Sequence, residues 1–180
     1  MLIGLIGQKL TGKDTIARYL ESKYGVVSFA AGHILNDILH ILAQDVSREN
    51  EVRLAVALRG AFGETVLNTA ILHRLAEHGD KVGLINGIRR PAEVTEAKAA
   101  GARIVYVTAS AELRYERYMQ RREKKDDGTL SFAEFVAQDQ QSPTEKDIPA
   151  LAQEAEYTIT NSGDLSELYA QVDAYMAQVQ

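Results

Sequence analysis

An α/β fold, with a five-stranded parallel sheet covered by helices on both faces, is what this 180-residue sequence predicts, on three observations. A short apolar run, MLIGLI at residues 1–6, leads straight into Gly7-Gln8-Lys9-Leu10-Thr11-Gly12-Lys13-Asp14-Thr15, after which Ile16, Ala17, Tyr19 and Leu20 begin a helical pattern. Four further runs of strand length alternate with segments of helical period, which is the order of a parallel sheet with crossover helices. The glycine-rich and polar stretches fall just after the strand ends, where sheets of this kind hold ligands.

Each element has a local reason. The first strand ends at a loop whose glycines free consecutive backbone N–H groups to turn inward around a phosphate. The helix that follows, 13–23, stops at Gly25. A second strand spans 26–29, and Ala30-Ala31-Gly32-His33 is expected to turn the chain before a helix marked by Ile34, Leu35, Ile38, Leu39, Ile41 and Leu42. Ser47 suits the N-cap of a long helix, with Glu49 and Glu51 in its first turn. Its buried stripe would be Val52, Ala55, Val56, Leu58, Ala61 and Phe62, a face that serves either the core or a homodimer. Gly60 and Gly63 are expected to break it before a helix over 66–78.

The third strand, 82–86, ends in Gly87-Ile88-Arg89-Arg90-Pro91, and Pro91 fits the first turn of a helix through residue 100. The fourth strand, RIVYVT at 103–108, precedes a helix over 111–124 and a charged loop to Gly128. A helix over 131–141, a break at Ser142-Pro143-Thr144 and a helical stretch over 148–154 come next. The fifth strand is 157–160, and Asn161-Ser162-Gly163-Asp164 turns into a last helix.

Composition narrows the class. The length suits a single domain, 1–180, and 46% hydrophobic residues supply a core. A net charge of −5 argues against a general nucleic-acid or membrane-surface binder. The absence of Cys excludes disulfides and cysteine metal sites and fits a reducing compartment. The N-terminal apolar run is too short for a signal peptide or a membrane span, so a cytoplasmic protein is expected.

The chemistry centres on the loop. Strand, glycine loop, lysine and helix form a phosphate-binding P-loop, in which the backbone of Gly7, Gln8, Lys9, Thr11, Gly12, Lys13, Asp14 and Thr15 would cradle a nucleoside triphosphate. Lys13 supplies the charge for the β and γ phosphates. The usual Ser or Thr after this lysine is Asp14, and the strand-end position that normally carries the metal-binding acid is the neutral Asn86. Asp14 is therefore expected to bind Mg²⁺ or its water shell, or to draw the acceptor's proton, while Asn86 acts through a water. Arg114, Arg117, Arg121 and Arg122 lie on one predicted helix and its end, a supply suited to moving a phosphoryl group between two phosphate-bearing substrates. Arg89, beside Gly87, is the leading candidate to grip an acceptor phosphate, and Arg90 a weaker one. Gly32, His33, Arg48, Arg53 and Arg59 lie on the segment, about 30–80, expected to border the acceptor. His40, His73 and His78 have no metal spacing.

With these residues placed, the sequence resembles the nucleoside-monophosphate-kinase-like branch of the P-loop kinases. Gly12-Lys13-Asp14-Thr15 is similar to the loop ending of phage deoxynucleoside monophosphate kinases, and a GKD ending occurs in animal phosphomevalonate kinases. Gly87-Ile88-Arg89, Pro91-Ala92-Glu93-Val94 and the Arg114, Arg117, Arg121 series resemble archaeal and bacterial nucleotide-kinase-like ATPases. The stretch 154–168 is similar to dephospho-CoA kinases. The resemblance implies a P-loop NTPase fold with a mobile arginine-bearing lid, here about 121–142. It puts Arg117 and Arg121 on the lid side, Arg89 on the acceptor side, and Asn161, Ser162 and Gly163 beside the adenine. The relatives usually carry Asp at the position of Asn86. The expected activity is transfer of the ATP γ-phosphoryl, with Mg²⁺, to a small phosphorylated acceptor. A (deoxy)nucleoside monophosphate comes first and dephospho-CoA second. A nucleotide-binding regulatory protein or slow ATPase is the rival from another class, favoured by Asn86. Lys13, Asp14, Arg89, Arg117 and Arg121 are the expected catalytic residues.

Overall fold

The computed structural model describes residues 1–79, 81–121, 128–142 and 145–179. Its centre is one parallel sheet of β1 (Leu2–Ile6), β2 (Val27–Ala30), β3 (Gly83–Ile88), β4 (Ala102–Thr108) and β5 (Tyr157–Thr160), in the order β2-β3-β1-β4-β5. The strand that feeds the phosphate loop is thus the middle one, flanked by β3 and β4. Its residues Ile3, Leu5 and Ile6 are fully buried, as a strand covered on both faces requires.

The two faces are covered by different parts of the chain. On one lie α1 (Lys13–Tyr24) and α9 (Leu165–Val179), packed through Ile16, Leu20, Leu168, Val172 and Met176 against Ile3, Leu5 and Val105. On the other lie α2 (Ala31–Ile41), α3 (Arg48–Phe62), α4 (Val66–Ala76), α5 (Pro91–Ala99) and the short α8 (Ile148–Leu151), around Ile6, Leu35, Leu67, Ile71, Ile85 and Ile104. Two helices, α6 (Ala111–Gln120) and α7 (Phe132–Gln141), stand at the C-terminal edge beside the loop. They join through Tyr115, Tyr118, Phe132 and Phe135. Ser131 and Glu134 form a capping box at the start of α7.

Several sequence expectations are corrected. Residues 31–33 do not turn the chain: β2 ends at Ala30 and α2 begins at Ala31. Ala30 is the extended N-cap of a helix whose Ile34, Leu35 and Leu39 are pulled into the core. Gly60 stays inside α3, which stops at Gly63, where φ is 102°. The stripe on α3 is also different: Val56 and Phe62 are 51% and 72% exposed, and the inward positions are Ala55 and Arg59. A charged residue can point inward there because a buried carboxylate meets it, as described below. Strand β3 continues past Asn86 to Ile88, since its edges pair with Leu5, Ile6 and Ala30. Helix α6 ends at Gln120, with Arg121 in extended conformation; the 122–124 end of the expected helix, Arg122 included, lies outside the described residues. No helix among the described residues is long and apolar enough to cross a membrane.

Candidate active site

The phosphate loop is held open by its own backbone. Lys13 is 7% exposed, and its Nζ donates to the carbonyls of Gly7 (2.8 Å) and Gln8 (2.7 Å), while Thr11 Oγ1 donates to the Gln8 carbonyl at 3.0 Å. Burial, then the charge of Arg89, pushes the Lys13 ammonium down to about 8, against the pull of Glu145 and Asp14. Gly12 caps α1 with φ 100° and offers no side chain to cap the first N–H groups of that helix. That leaves the positive end of α1 facing the loop for a phosphate to fill. A Cβ at Gly12 would strike the amide nitrogen of Asn161, so the position is closed to other residues twice over.

One side of the site is built onto this loop. Asn161, 6% exposed, donates from Nδ2 to the Thr11 carbonyl at 2.9 Å. Arg117 donates to the carbonyls of Leu10 (3.0 Å) and Asn161 (3.1 Å), so one guanidinium braces the loop against the β5–α9 turn. Burial holds its pKa below the usual arginine range. A cavity of about 560 Å³ opens here, bounded by Lys13, Thr15, Arg18, Arg121, Asn161 and Gly163. Asn161→Ala leaves the Thr11 carbonyl without its donor, a loss worth about 1 kcal/mol. Nucleotide affinity is expected to fall by roughly 5- to 10-fold, as read by calorimetric titration.

Lys9 keeps its backbone in the loop, where its N–H donates to Glu145 Oε2 at 3.1 Å. Its side chain leaves the loop: Nζ donates to Gln138 Oε1 at 2.8 Å, lies 4.3 Å from the Phe135 ring centroid, and is 3.8 Å from Asp139. Burial lowers its pKa, with Asp139 and Glu145 opposing. Arg114 goes to the same place, 4% exposed and 2.7 Å from Asp139. The part of the expected lid that the structure describes after Gly128, α7, is therefore fastened to the phosphate loop by buried charges, with Phe135 fully buried.

Across the loop, a second cavity of about 500 Å³ brings together Gly32, His33, Arg48, Asn86, Arg89 and Arg121. Two acidic side chains help to hold Arg89 in place. Its N–H donates to Glu93 Oε2 at 3.0 Å, and its guanidinium is ion-paired with Glu145, a carboxylate whose other oxygen accepts the Lys9 N–H at 3.1 Å. The remaining arginines differ from expectation. Arg59 is 7% exposed and gives its guanidinium to Glu93 at 2.8 Å, so it supports Arg89 from behind and does not face the cavity. Arg53 is exposed and is not among the residues lining this cavity. Arg90 pairs with Glu64 at 3.0 Å.

Asp14 and Asn86 do meet: Asn86 Nδ2 donates to Asp14 Oδ1 at 2.8 Å. Asn86 is 8% exposed, and its Oδ1 is buried without a hydrogen-bond partner. One carboxylate and one unsatisfied amide oxygen, side by side next to Lys13, fit the oxygen-only, partly hydrated shell that Mg²⁺ takes. Among the described residues no group of three acidic or imidazole side chains forms a metal cage, so phosphates and water would complete that shell.

Two residues central to this arrangement, Glu93 and Glu145, are given no role by the sequence, although Glu93 lies within the Pro91-Ala92-Glu93-Val94 stretch. Glu93 sits one turn beyond Arg89 in the first turn of α5, a position from which a carboxylate reaches back to a free N–H. Glu145 follows the Ser142-Pro143-Thr144 break, where no periodicity points inward.

No protein-family model matches the chain. A UPF0200 protein of Methanothermobacter thermautotrophicus is 27% identical over 173 residues, covering 95% of this chain and 86% of that one. Shikimate kinase from Bacteroides thetaiotaomicron superposes with a TM-score of 0.69 at 17% identity, over 99% of this chain and 98% of that one. Dephospho-CoA kinase from Campylobacter jejuni gives 0.59 at 16% identity, over 99% and 96%. A gluconokinase from Sinorhizobium meliloti 1021 gives 0.58 at 14%, over 98% and 91%. The chain has the P-loop kinase fold over nearly its whole length.

Proposed function

We propose that this protein is an ATP-dependent phosphotransferase that moves the γ-phosphoryl of ATP to a small phosphate-bearing acceptor, with a (deoxy)nucleoside monophosphate as the leading class. The observation that carries this reading is the shared wall. Lys13, Asp14, Arg18 and Arg121 border both the donor cavity and the acceptor cavity, so a group bound in one lies against the same charges as a group bound in the other. Phosphoryl transfer needs this geometry more than it needs covalent help from the protein, because its transition state is stabilised by positioning and by offsetting charge on the moving group.

The residues then have separate tasks. The N-terminus of α1 and Lys13 hold the donor's phosphates. Arg117 keeps the loop against the turn that borders the base. Arg121 lies where both phosphate groups approach, and Arg89 and Arg48 receive the acceptor's anion. Asp14, with Asn86 through a water, would hold Mg²⁺, which when bound offsets the charge of the β and γ oxygens. Asp14→Asn is expected to lower turnover by about 10²–10³-fold while nucleotide still binds. Unchanged rate and Mg²⁺ dependence in that variant would remove Asp14 from the mechanism.

The direct test is ADP formation with Mg²⁺-ATP across each nucleoside and deoxynucleoside monophosphate, dephospho-CoA and phosphomevalonate, beside a water control and Lys13→Ala. One acceptor that raises ADP release well above water, and fails to do so with Lys13→Ala, supports the kinase and names its substrate. ATP binding without stimulation by any acceptor supports the second reading, a nucleotide-dependent regulatory protein. That reading draws on Asn86, whose amide engages Asp14 at the position where an acid would be expected.

A further inference from the structure

The acceptor half of the site is almost neutral, and one buried carboxylate is the reason. Glu145 lies between α7 and α8, with its N–H bonded to the Ser142 carbonyl at 3.1 Å. It is 2% exposed, yet both carboxylate oxygens are engaged, one by the Lys9 N–H at 3.1 Å and the other by the Arg89 guanidinium. Burial alone would favour the neutral acid, but Arg89, Lys13 and the Lys9 N–H outweigh it and hold this carboxyl below the usual range. A fixed negative charge therefore stands at the Arg89 end of the acceptor cavity.

The other cations have been withdrawn or matched. Arg59 is consumed by Glu93, and Arg53 lies outside the cavity lining. On the acceptor half, Lys9, Arg48 and Arg89 are set against Glu21 and Glu51, on the same cavity, and Glu145 behind Arg89. Lys13, Arg18 and Arg121 are shared with the donor cavity, where the triphosphate takes their charge. A single phosphate monoester brings about two negative charges. A pyrophosphate group, or a second phosphate, adds more charge to a place where, among the described residues, no further cation is left to meet it, and repulsion from Glu145 grows with each.

We propose that Glu145 is a specificity-determining residue: by holding one edge of Arg89 it restricts the acceptor site to molecules carrying one phosphate group and rejects acceptors that present a pyrophosphate. This rests on the reading of the second cavity as the acceptor site, and within that reading it ranks nucleoside monophosphates above dephospho-CoA.

The test is calorimetric titration of the protein, saturated with Mg²⁺ and a non-hydrolysable ATP analogue, with inorganic phosphate and with pyrophosphate. The wild-type protein is expected to bind phosphate at least as tightly as pyrophosphate. Glu145→Gln is expected to tighten pyrophosphate by about 10-fold or more and to reverse the order, while Arg48→Met weakens both by about 10-fold. Wild-type preference for pyrophosphate by 10-fold or more overturns the proposal. So does an unchanged ratio in a Glu145→Gln variant with native circular dichroism, and so does a lack of binding by either anion to both proteins. If Glu145→Gln fails to fold, the wild-type order alone decides. None of these outcomes depends on turnover, so a failure of every acceptor in the ADP assay tells against the kinase reading separately.

Discussion

Replacing Lys13 by Met is expected to lower phosphoryl transfer by about 10²–10³-fold, the cost of losing one charge aimed at the moving group. In the structure the ammonium is buried and held by the Gly7 and Gln8 carbonyls. A second signature separates its electrostatic role from a packing role. Its pKa is pushed down to about 8 from an ordinary 10.5. Above pH 8 the free protein therefore loses this charge, and nucleotide affinity should decline from pH 7 to 9 in the wild type while staying flat in Lys13→Met. A bound phosphate draws the proton back, so binding above pH 8 should take up a proton. Stability should move the other way. Between about 8 and 10.5 the unfolded chain holds more protons than the folded one, so the unfolding free energy gains with rising pH from this group. Titration calorimetry in two buffers of different ionisation enthalpy, with denaturant melts over the same range, reads both trends. A pH-independent affinity would show that Lys13 is not the group that meets the phosphate.

Arg59→Ala is expected to destabilise the fold by about 3–5 kcal/mol, because it strands a buried carboxylate. The side chains of Arg59 and Glu93 are 6% and 5% exposed, and the pair closes at 2.8 Å. Glu93 keeps a second duty, since its other oxygen takes the Arg89 N–H at 3.0 Å. Removing Arg59 should therefore also raise the acceptor KM, through Arg89, with little change in the KM for ATP. Joint replacement by apolar residues, Arg59→Met with Glu93→Leu, should recover much of the stability and leave the acceptor KM high. Chemical denaturation and a two-substrate kinetic series distinguish these outcomes. A stable Arg59→Ala variant would mean that the pair is solvated, against its burial. A weakened acceptor interaction that the Glu93 change does not share would place Arg59 in the cavity after all.

The fold and the glycine-rich loop were legible because their signals are local. MLIGLI before a glycine loop and a helix can bury only one way, and Gly12, Lys13 and Pro91 each mark a position within a few residues of where they act. What sequence reasoning missed is long-range charge pairing. Arg59 and Arg114 read as cations available to phosphates, but Glu93 and Asp139 claim them from 34 and 25 residues away, distances at which no periodic pattern carries information. Lys9 lies within the motif, but the course of its side chain was not legible: its stem is long enough to leave the loop and reach Gln138. The same limit hid Glu145, whose meaning appears only when Lys9 and Arg89 are seen on either side of it.

The order β2-β3-β1-β4-β5 has a consequence for how the chain is made. Of the five strands of this sheet the central one is synthesised first, and both of its neighbours come late, β3 near residue 88 and β4 near residue 108. At about 5–20 residues per second, the apolar MLIGLI segment waits several seconds with both edges unpaired. Its partners are parallel and distant in sequence, so closing the sheet carries a large loop-entropy cost and no hairpin can shelter the strand meanwhile. The segment that feeds the phosphate loop is thus also the one most exposed to wrong pairing during synthesis, and slowing translation before β3 should lower the soluble yield more than slowing it after β4.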